Sequence, residues 1–354
     1  MSPLSSTSSG KFNYSIHGLR GIAALIVFVF HIYDMSRKLE VIPEEIHPVL
    51  KGAFVSLASG VDIFFMISGY LITVSLIRHA NIKNFLIDRA VRIYPVFLFL
   101  HLCLFAIAPF IHYKWLTGIS PLQWLLHFSS NLFFLPGIFD LPLMQLSAWS
   151  LSYELAFYLF SSLVCFFWVR QKTIALALLF VAMPLLIAVY PRAVFFAMGS
   201  LVYFLLGRKE TLSHRIPALG VWVVIPFLAI MSYANVEGPY RIIWLSAPLG
   251  FLLFLDVTRG AEPLACLLRQ RVVQFLGTIS YSFYLWHAVV TFPLKPLVQK
   301  ILVVKLGITG WLAVLLFGMI AFLITLPVSY ISYVVLEQRA GKWLKLFINK
   351  NKRD

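Results

Sequence analysis

Long apolar runs separated by short polar breaks set the rhythm of this chain. The runs are continuous rather than alternating, and most approach the ~20 residues that a helix needs to cross a hydrocarbon core. Strands of an outer-membrane barrel would instead show segments of about 10 residues with alternating polarity. The pattern predicts ten spanning helices, at about 17–34, 53–77, 87–111, 148–169, 173–190, 192–207, 217–234, 241–257, 272–293 and 308–336. The stretch 122–139 (LQWLLHFSSNLFFLPGIF) is apolar enough to be an eleventh. The Ser-rich start (MSPLSSTSSG) has neither a basic segment nor a small-residue cleavage site, so residues 1–15 read as a disordered tail and the first span as a retained anchor. With no repeat and no linker, 16–337 form one all-α membrane domain, followed by a basic tail at 338–354.

Composition confirms the solvent. Of 354 residues, 60% are hydrophobic and 12% charged, against about 25% charged in soluble domains, and the mean hydropathy is +0.88. That disfavours a disordered chain, a disulfide-rich secreted module and a nucleic-acid-binding domain, and implies an integral, multi-pass membrane protein whose constant partner is the bilayer; the inner (plasma) membrane is its expected location. The net charge of +15 describes topology rather than a polyanion partner: with the N-terminus inside, 20 of the 29 Lys and Arg fall on the cytoplasmic side. Both termini are therefore expected in the cytoplasm. An eleventh span at 122–139 would carry the basic tail outside, so that stretch is expected to be interfacial or re-entrant. Cys103, Cys165 and Cys266 are widely spaced and read as small buried hydrophobes; no metal site is expected.

Ionisable groups inside spans cost about 2.5–3.5 kcal/mol each on insertion scales, which makes them functional candidates. Asp62 and Glu154 are the carboxylates that fall well inside, and His31 and His287 the clearest imidazoles. Counting ~1.5 Å per residue puts His31 about 16 Å above Arg20, Asp62 roughly 12 Å deep and Glu154 roughly 8 Å deep. Four helices are thus expected to bring two carboxylates and two imidazoles to one layer. At the inner mouth of the third span, Arg89 and Arg92 share a helix face, and their planar guanidinia suit phosphate oxygens. The same residue types also serve ordinary ends: arginines anchor spans to lipid phosphates, an intramembrane His packs helices, and Asp62 with Arg20 makes a structural ion pair.

The motifs resemble those of the membrane acyltransferase-3 family, which moves acyl groups from acyl-coenzyme A to surface and secreted sugars and some small molecules. Arg20 to His31 resembles its R-x10-H element, Gly60 to Thr73 (GVDIFFMISGYLIT) its second-span signature, and Arg89-x-x-Arg92-Ile-Tyr-Pro95 its R-x-x-R motif. Trp149-Ser-Leu-Ser-Tyr-Glu154 resembles its W-S-L-x-x-E element, and Gly277 to His287 its G-x-x-S-Y-x-x-Y-L-x-H element. Glu337 matches the family's terminal glutamate but lacks the proline expected soon after it, and a fused esterase-like domain carried by many members is not expected here.

The resemblance implies acyl-coenzyme A, acetyl-coenzyme A above all, as co-substrate, with no permanently bound cofactor, and a sugar or glycan acceptor on the far side: surface polysaccharide, exopolysaccharide, O-antigen or peptidoglycan. Arg20, Arg89, Arg92, Ser68 and Tyr70 are the expected donor-binding residues. Trp149, Ser150, Tyr281 and His287 are the expected acceptor-side residues. His31 is the expected general base, neutral imidazole being matched to working pH, with Asp62 or Glu154 fixing its tautomer; an acyl-histidine intermediate is the other route. A transporter or flippase for acyl groups or lipid-linked sugars would use the same charges as a pathway, but its usual internal two-fold repeat is not seen.

Overall fold

A computed structural model describes residues 12–42, 46–79, 81–111, 113–208, 218–236 and 242–350. Most of the expected N-terminal tail and the last four residues lie outside it, as do the loop histidines His112 and His214.

Helices occupy every predicted span. α1 (Tyr14–Lys38) begins where the Asn13 side chain accepts the Ile16 N–H at 3.0 Å, a preferred cap. α2 (Pro48–Ser56) and α3 (Gly60–His79) make one span broken by the turn Leu57–Ser59. α4 (Ile82–Ile107) follows an Asn81 cap. After α5 (Pro121–Leu132) come α6 (Trp149–Val169), α7 (Thr173–Val189), α8 (Val194–Arg208), α9 (Gly220–Val236) and α10 (Ile243–Arg259). The short α11 (Leu264–Leu268) leads to α12 (Arg271–Val298), α13 (Gly310–Ser332) and α14 (Gly341–Lys350). Wider π-helical turns prolong α12 over Gln299–Lys305 and join α13 to α14 over Tyr333–Ala340.

Six of these stretches are long and apolar enough to cross a membrane: Tyr14–Lys38, Pro48–Arg78, Ile82–Ile107, Leu146–Val169, Arg271–Lys305 and Gly310–Ile348. The other four expected spans, α7 to α10, have 15–17 described residues, or about 22–26 Å, short of a ~30 Å core. α7 buries none of its residues and lies at the edge of the bundle. The ambiguous stretch 122–139 is helical only to Leu132. A capping box of Ser120 and Gln123 starts α5, whose 12 residues measure about 18 Å.

Small residues let the central helices touch. A side chain at Gly18 would strike the Leu268 carbonyl, one at Gly21 the backbone of Val273 and Gly277, and one at Gly277 the His17 carbonyl. α1 and α12 therefore run backbone against backbone, the packing expected where helix association cannot rely on expelling water. α3 and α8 repeat the device: Gly69 faces the Phe196 carbonyl, Gly199 faces that of Met66, and Ser200 Oγ donates to the Gly69 carbonyl at 3.2 Å.

Gly69→Leu should push α3 from α8 and destabilise the protein by about 1–3 kcal/mol, the usual range for overpacking. Gly318→Ala, whose added carbon would meet Ile32 at an ordinary 3.5 Å, should leave thermal unfolding in detergent unchanged.

Candidate active site

The site's geometry follows from where α6 begins. The chain between α5 and α6 doubles back, and Asn131 clasps it: Nδ2 donates to the carbonyls of His127 and Pro142, both at 2.9 Å, and Oδ1 accepts the Met144 N–H at 2.9 Å. The turn Leu146–Ala148 then delivers the first residues of α6 to the middle of α12. Gln145 Nε2 donates to the Leu285 carbonyl at 3.4 Å, and the hydroxyls of Ser150 and Tyr284 lie 2.9 Å apart. Ser147, Ala148, Ser150 and Ser152 are all buried. α6 thus starts deep within the bundle, not at its border, and every residue along it sits correspondingly further toward the end where α1 begins.

One polar layer is a pair of histidines. His287, fully buried on α12, places Nε2 3.3 Å from Nδ1 of His31 on α1. Each ring also turns a nitrogen to a carbonyl one helical turn back: His31 Nδ1 to Val27 at 2.9 Å and His287 Nδ1 to Phe283 at 3.3 Å. A carbonyl can only accept, so both neutral rings carry their proton on Nδ1. His287 Nε2 then offers a lone pair that shares the His31 proton, and Nε2 of His31, on a partly buried side chain, is left as a bare base. The expectation that Asp62 or Glu154 fixes this tautomer is corrected: the described hydrogen bonds of His31 go to Val27 and His287.

Asp62 is fully buried and engaged elsewhere. Its Oδ2 accepts from Arg192 Nη1 at 2.6 Å, and Arg192 Nη2 donates to Asn235 Oδ1 at 2.9 Å. The guanidinium carbon lies 5.8 Å from the Trp149 ring centre, within cation–π range. Close packing of α3 on α8 explains the partner, because it sets the turn Pro191–Ala193 beside the start of α3. Asp62 therefore pairs with Arg192 and not with Arg20. Trp149 also meets the rings of Phe65 and Tyr153, and Tyr284 faces Asp62 and Arg192. Asp62, Arg192, Trp149, Ser150 and Tyr284 accordingly adjoin the histidine pair through the Tyr284 ring, whose centre is 5.7 Å from that of His287.

The second layer collects the arginines. Glu154 accepts from Tyr158, one turn along α6, and from Ser68 Oγ at 2.9 Å. Arg20 and Arg89 both face Glu154 and Arg92. Glu337 accepts the N–H of Ser282 at 3.1 Å and its Oγ at 2.5 Å, and faces Arg20 and Arg92. Glu154 belongs to this layer, and its predicted place beside His31 is corrected by the deep start of α6. Tyr281 belongs here too: its hydroxyl donates to the Ile93 carbonyl at 2.7 Å and its ring faces Glu337 and Glu154. Ser68 and Tyr70 do not line one path. Residues two positions apart on a helix are separated by about 200° around its axis, and Tyr70 packs on Tyr203 and Phe254, away from the arginine layer.

Arg192 and Tyr158 join the site without a signal in the motifs, Tyr284 stands in the Gly277-to-His287 motif without an assigned role, and Glu337 lies at the edge of its predicted span. Tyr158 was recoverable from its i+4 spacing to Glu154. Glu337 lies within the continuous helical stretch Gly310–Ile348, one residue past the predicted end of the tenth span.

A family model described as an acyltransferase domain matches residues 13–334. The chain is 24% identical over 390 aligned positions to the peptidoglycan O-acetyltransferase OatA of Listeria monocytogenes, covering 97% of this chain and 59% of that protein. It is 28% identical to the exopolysaccharide production protein ExoZ of Rhizobium meliloti, covering 71% of this chain and 80% of that protein. A nodulation protein of Rhizobium leguminosarum is 28% identical over 129 positions, covering 32% of this chain and 35% of that protein. No solved structure matches.

Removing one member of a buried ion pair leaves the other uncompensated, at about 3–5 kcal/mol. Asp62→Leu and Arg192→Leu should each cost about that much, whereas the double substitution should recover most of it; thermal unfolding of the four proteins in detergent gives the coupling.

Proposed function

The chain belongs to the acyltransferase family, and we propose that it transfers an acyl group, acetyl in the simplest case, from cytoplasmic acyl-coenzyme A to a hydroxyl of a sugar or glycan on the far side of the plasma membrane. In this reading the bundle crosses ten times with both termini cytoplasmic, α7 to α10 crossing where the bilayer is locally thin. The observation that carries the proposal is the stacking of two layers: an arginine cluster that suits phosphates, and above it a histidine whose Nε2 carries an unshared pair.

The donor's phosphates rest on Arg89 and Arg92, with Arg20 beside them, and its long arm reaches past Ser68 toward His31. His31 Nε2 takes the proton of the acceptor hydroxyl as the oxygen attacks the thioester carbonyl. The carbon–sulfur bond then breaks, and the thiolate leaves with the proton from the imidazolium, so the base is restored. His287 performs the orienting task first assigned to a carboxylate, because its Nε2 holds the Nδ1 proton of His31 in place. Trp149, Ser150 and Tyr284, near the histidines, form the acceptor side; Tyr281 and Glu154 order the arginines. The acceptor class is supported by the relatives, one named for peptidoglycan O-acetylation and one for exopolysaccharide production.

His31→Ala, folded and inserted, should lose about 10²–10⁴-fold in transfer rate, the usual effect of removing a general base; release of coenzyme A thiol in the presence of acceptor measures it, and full turnover would refute the role. Surface glycans from cells with and without the protein should differ by one acyl increment in mass, on a fraction of repeat units.

A further inference from the structure

The arginine layer opens on the α14 side into a cavity of about 330 Å³ lined by Asp88, Val91, Arg92, Glu337, Gly341, Lys342 and Lys345. Its volume falls within the range of small-ligand sites. Arg92 and Glu337 are shared with the arginine layer, so the cavity adjoins it.

Two lysines form its rim. α14 carries Lys342 and Lys345 toward the cavity, while Trp343, Leu346 and Phe347 are exposed. The helix is held against α4 by Lys345 Nζ on Asp88 Oδ1 at 2.8 Å, and at Gly341 an added carbon would make ordinary contact with Val91 at 3.7 Å. Of the two carboxylates in the lining, Asp88 is matched by Lys345, and Glu337 is held by Ser282 and faces Arg92 and Arg20. Three cations thus meet two carboxylates in the lining, and Lys342 is the one in excess. Arg92, Lys342 and Lys345 all end in N–H donors, and a phosphate is the anion that uses several such donors at once.

We infer that this cavity takes the phosphorylated nucleotide end of the acyl donor, and that Lys342 and Lys345 of α14 are binding residues for it alongside Arg92. The inference rests on the donor reading above and extends it to a helix beyond the matched family region. A ligand seated here with its phosphates at the rim points its arm inward past Arg92. The climb from Arg20 to His31, about 16 Å along α1, then falls to that arm.

The same donors could hold the phosphate of an anionic lipid headgroup, and the test separates the two. Full-length protein in a zwitterionic detergent is titrated with coenzyme A, and separately with vesicles of phosphatidylglycerol in phosphatidylcholine. Lys342→Gln/Lys345→Gln should raise the Kd for coenzyme A at least tenfold, since each charge-assisted contact removed is worth about that factor, while Lys342→Arg/Lys345→Arg should keep it within threefold. If wild type and the glutamine variant bind coenzyme A equally, the inference fails, and it fails as a lipid site if only vesicle binding drops. If the wild type does not bind coenzyme A at all, the donor reading falls and the inference with it.

Discussion

Close contact between α1 and α12 is the constraint on which the rest of this structure depends. Gly21 and Gly277 remove the side chains that would hold the two backbones apart, and Gly18 admits Leu268 at the end of α11 in the same way. With that spacing, a residue on one helix meets its counterpart on the other without a layer of packing between. His17 lies against Gly277, and further along His31 meets His287. Wider separation would leave two imidazoles in a low-dielectric interior without each other, and each would need a separate polar partner.

The same rule, that a polar group in hydrocarbon must be satisfied by protein, governs the segment between α5 and α6. It has no regular secondary structure over most of 133–145, a conformation tolerated at membrane depth only where protein or a cavity covers it. Asn131 closes the loop by bonding three backbone groups, Ser152 Oγ accepts the Gly137 N–H, and Gln145 ties the loop's end to the Leu285 carbonyl of α12. This loop, and not the length of α6, decides that Glu154 faces arginines while Ser150 faces Tyr284.

Those two facts explain what could be read from the residues beforehand. Helix positions followed from continuous apolar runs, and His31 and Arg20 fell in separate layers because both lie on one straight helix, where rise per residue converts to depth. Glu154 did not, because depth counted from a helix end presumes that the end sits at the border. The partner of Asp62 was hidden for a different reason: Arg192 is the first residue of the predicted span 192–207, where an arginine reads as an ordinary end anchor, and only the α3–α8 crossing makes it an interior residue. The opposed faces of Ser68 and Tyr70, by contrast, were available from helical angle alone.

The Asp62–Arg192 pair joins residues 130 positions apart, and this bears on how the chain is made. When α3 first enters the bilayer during synthesis, its carboxylate lacks the guanidinium it meets in the folded protein, since the turn before α8 is still to be translated. The early helices must then wait until the middle of the chain arrives. Assembly is therefore committed late, by a residue from the sixth predicted span's threshold, and the first three spans by themselves form an unfinished product.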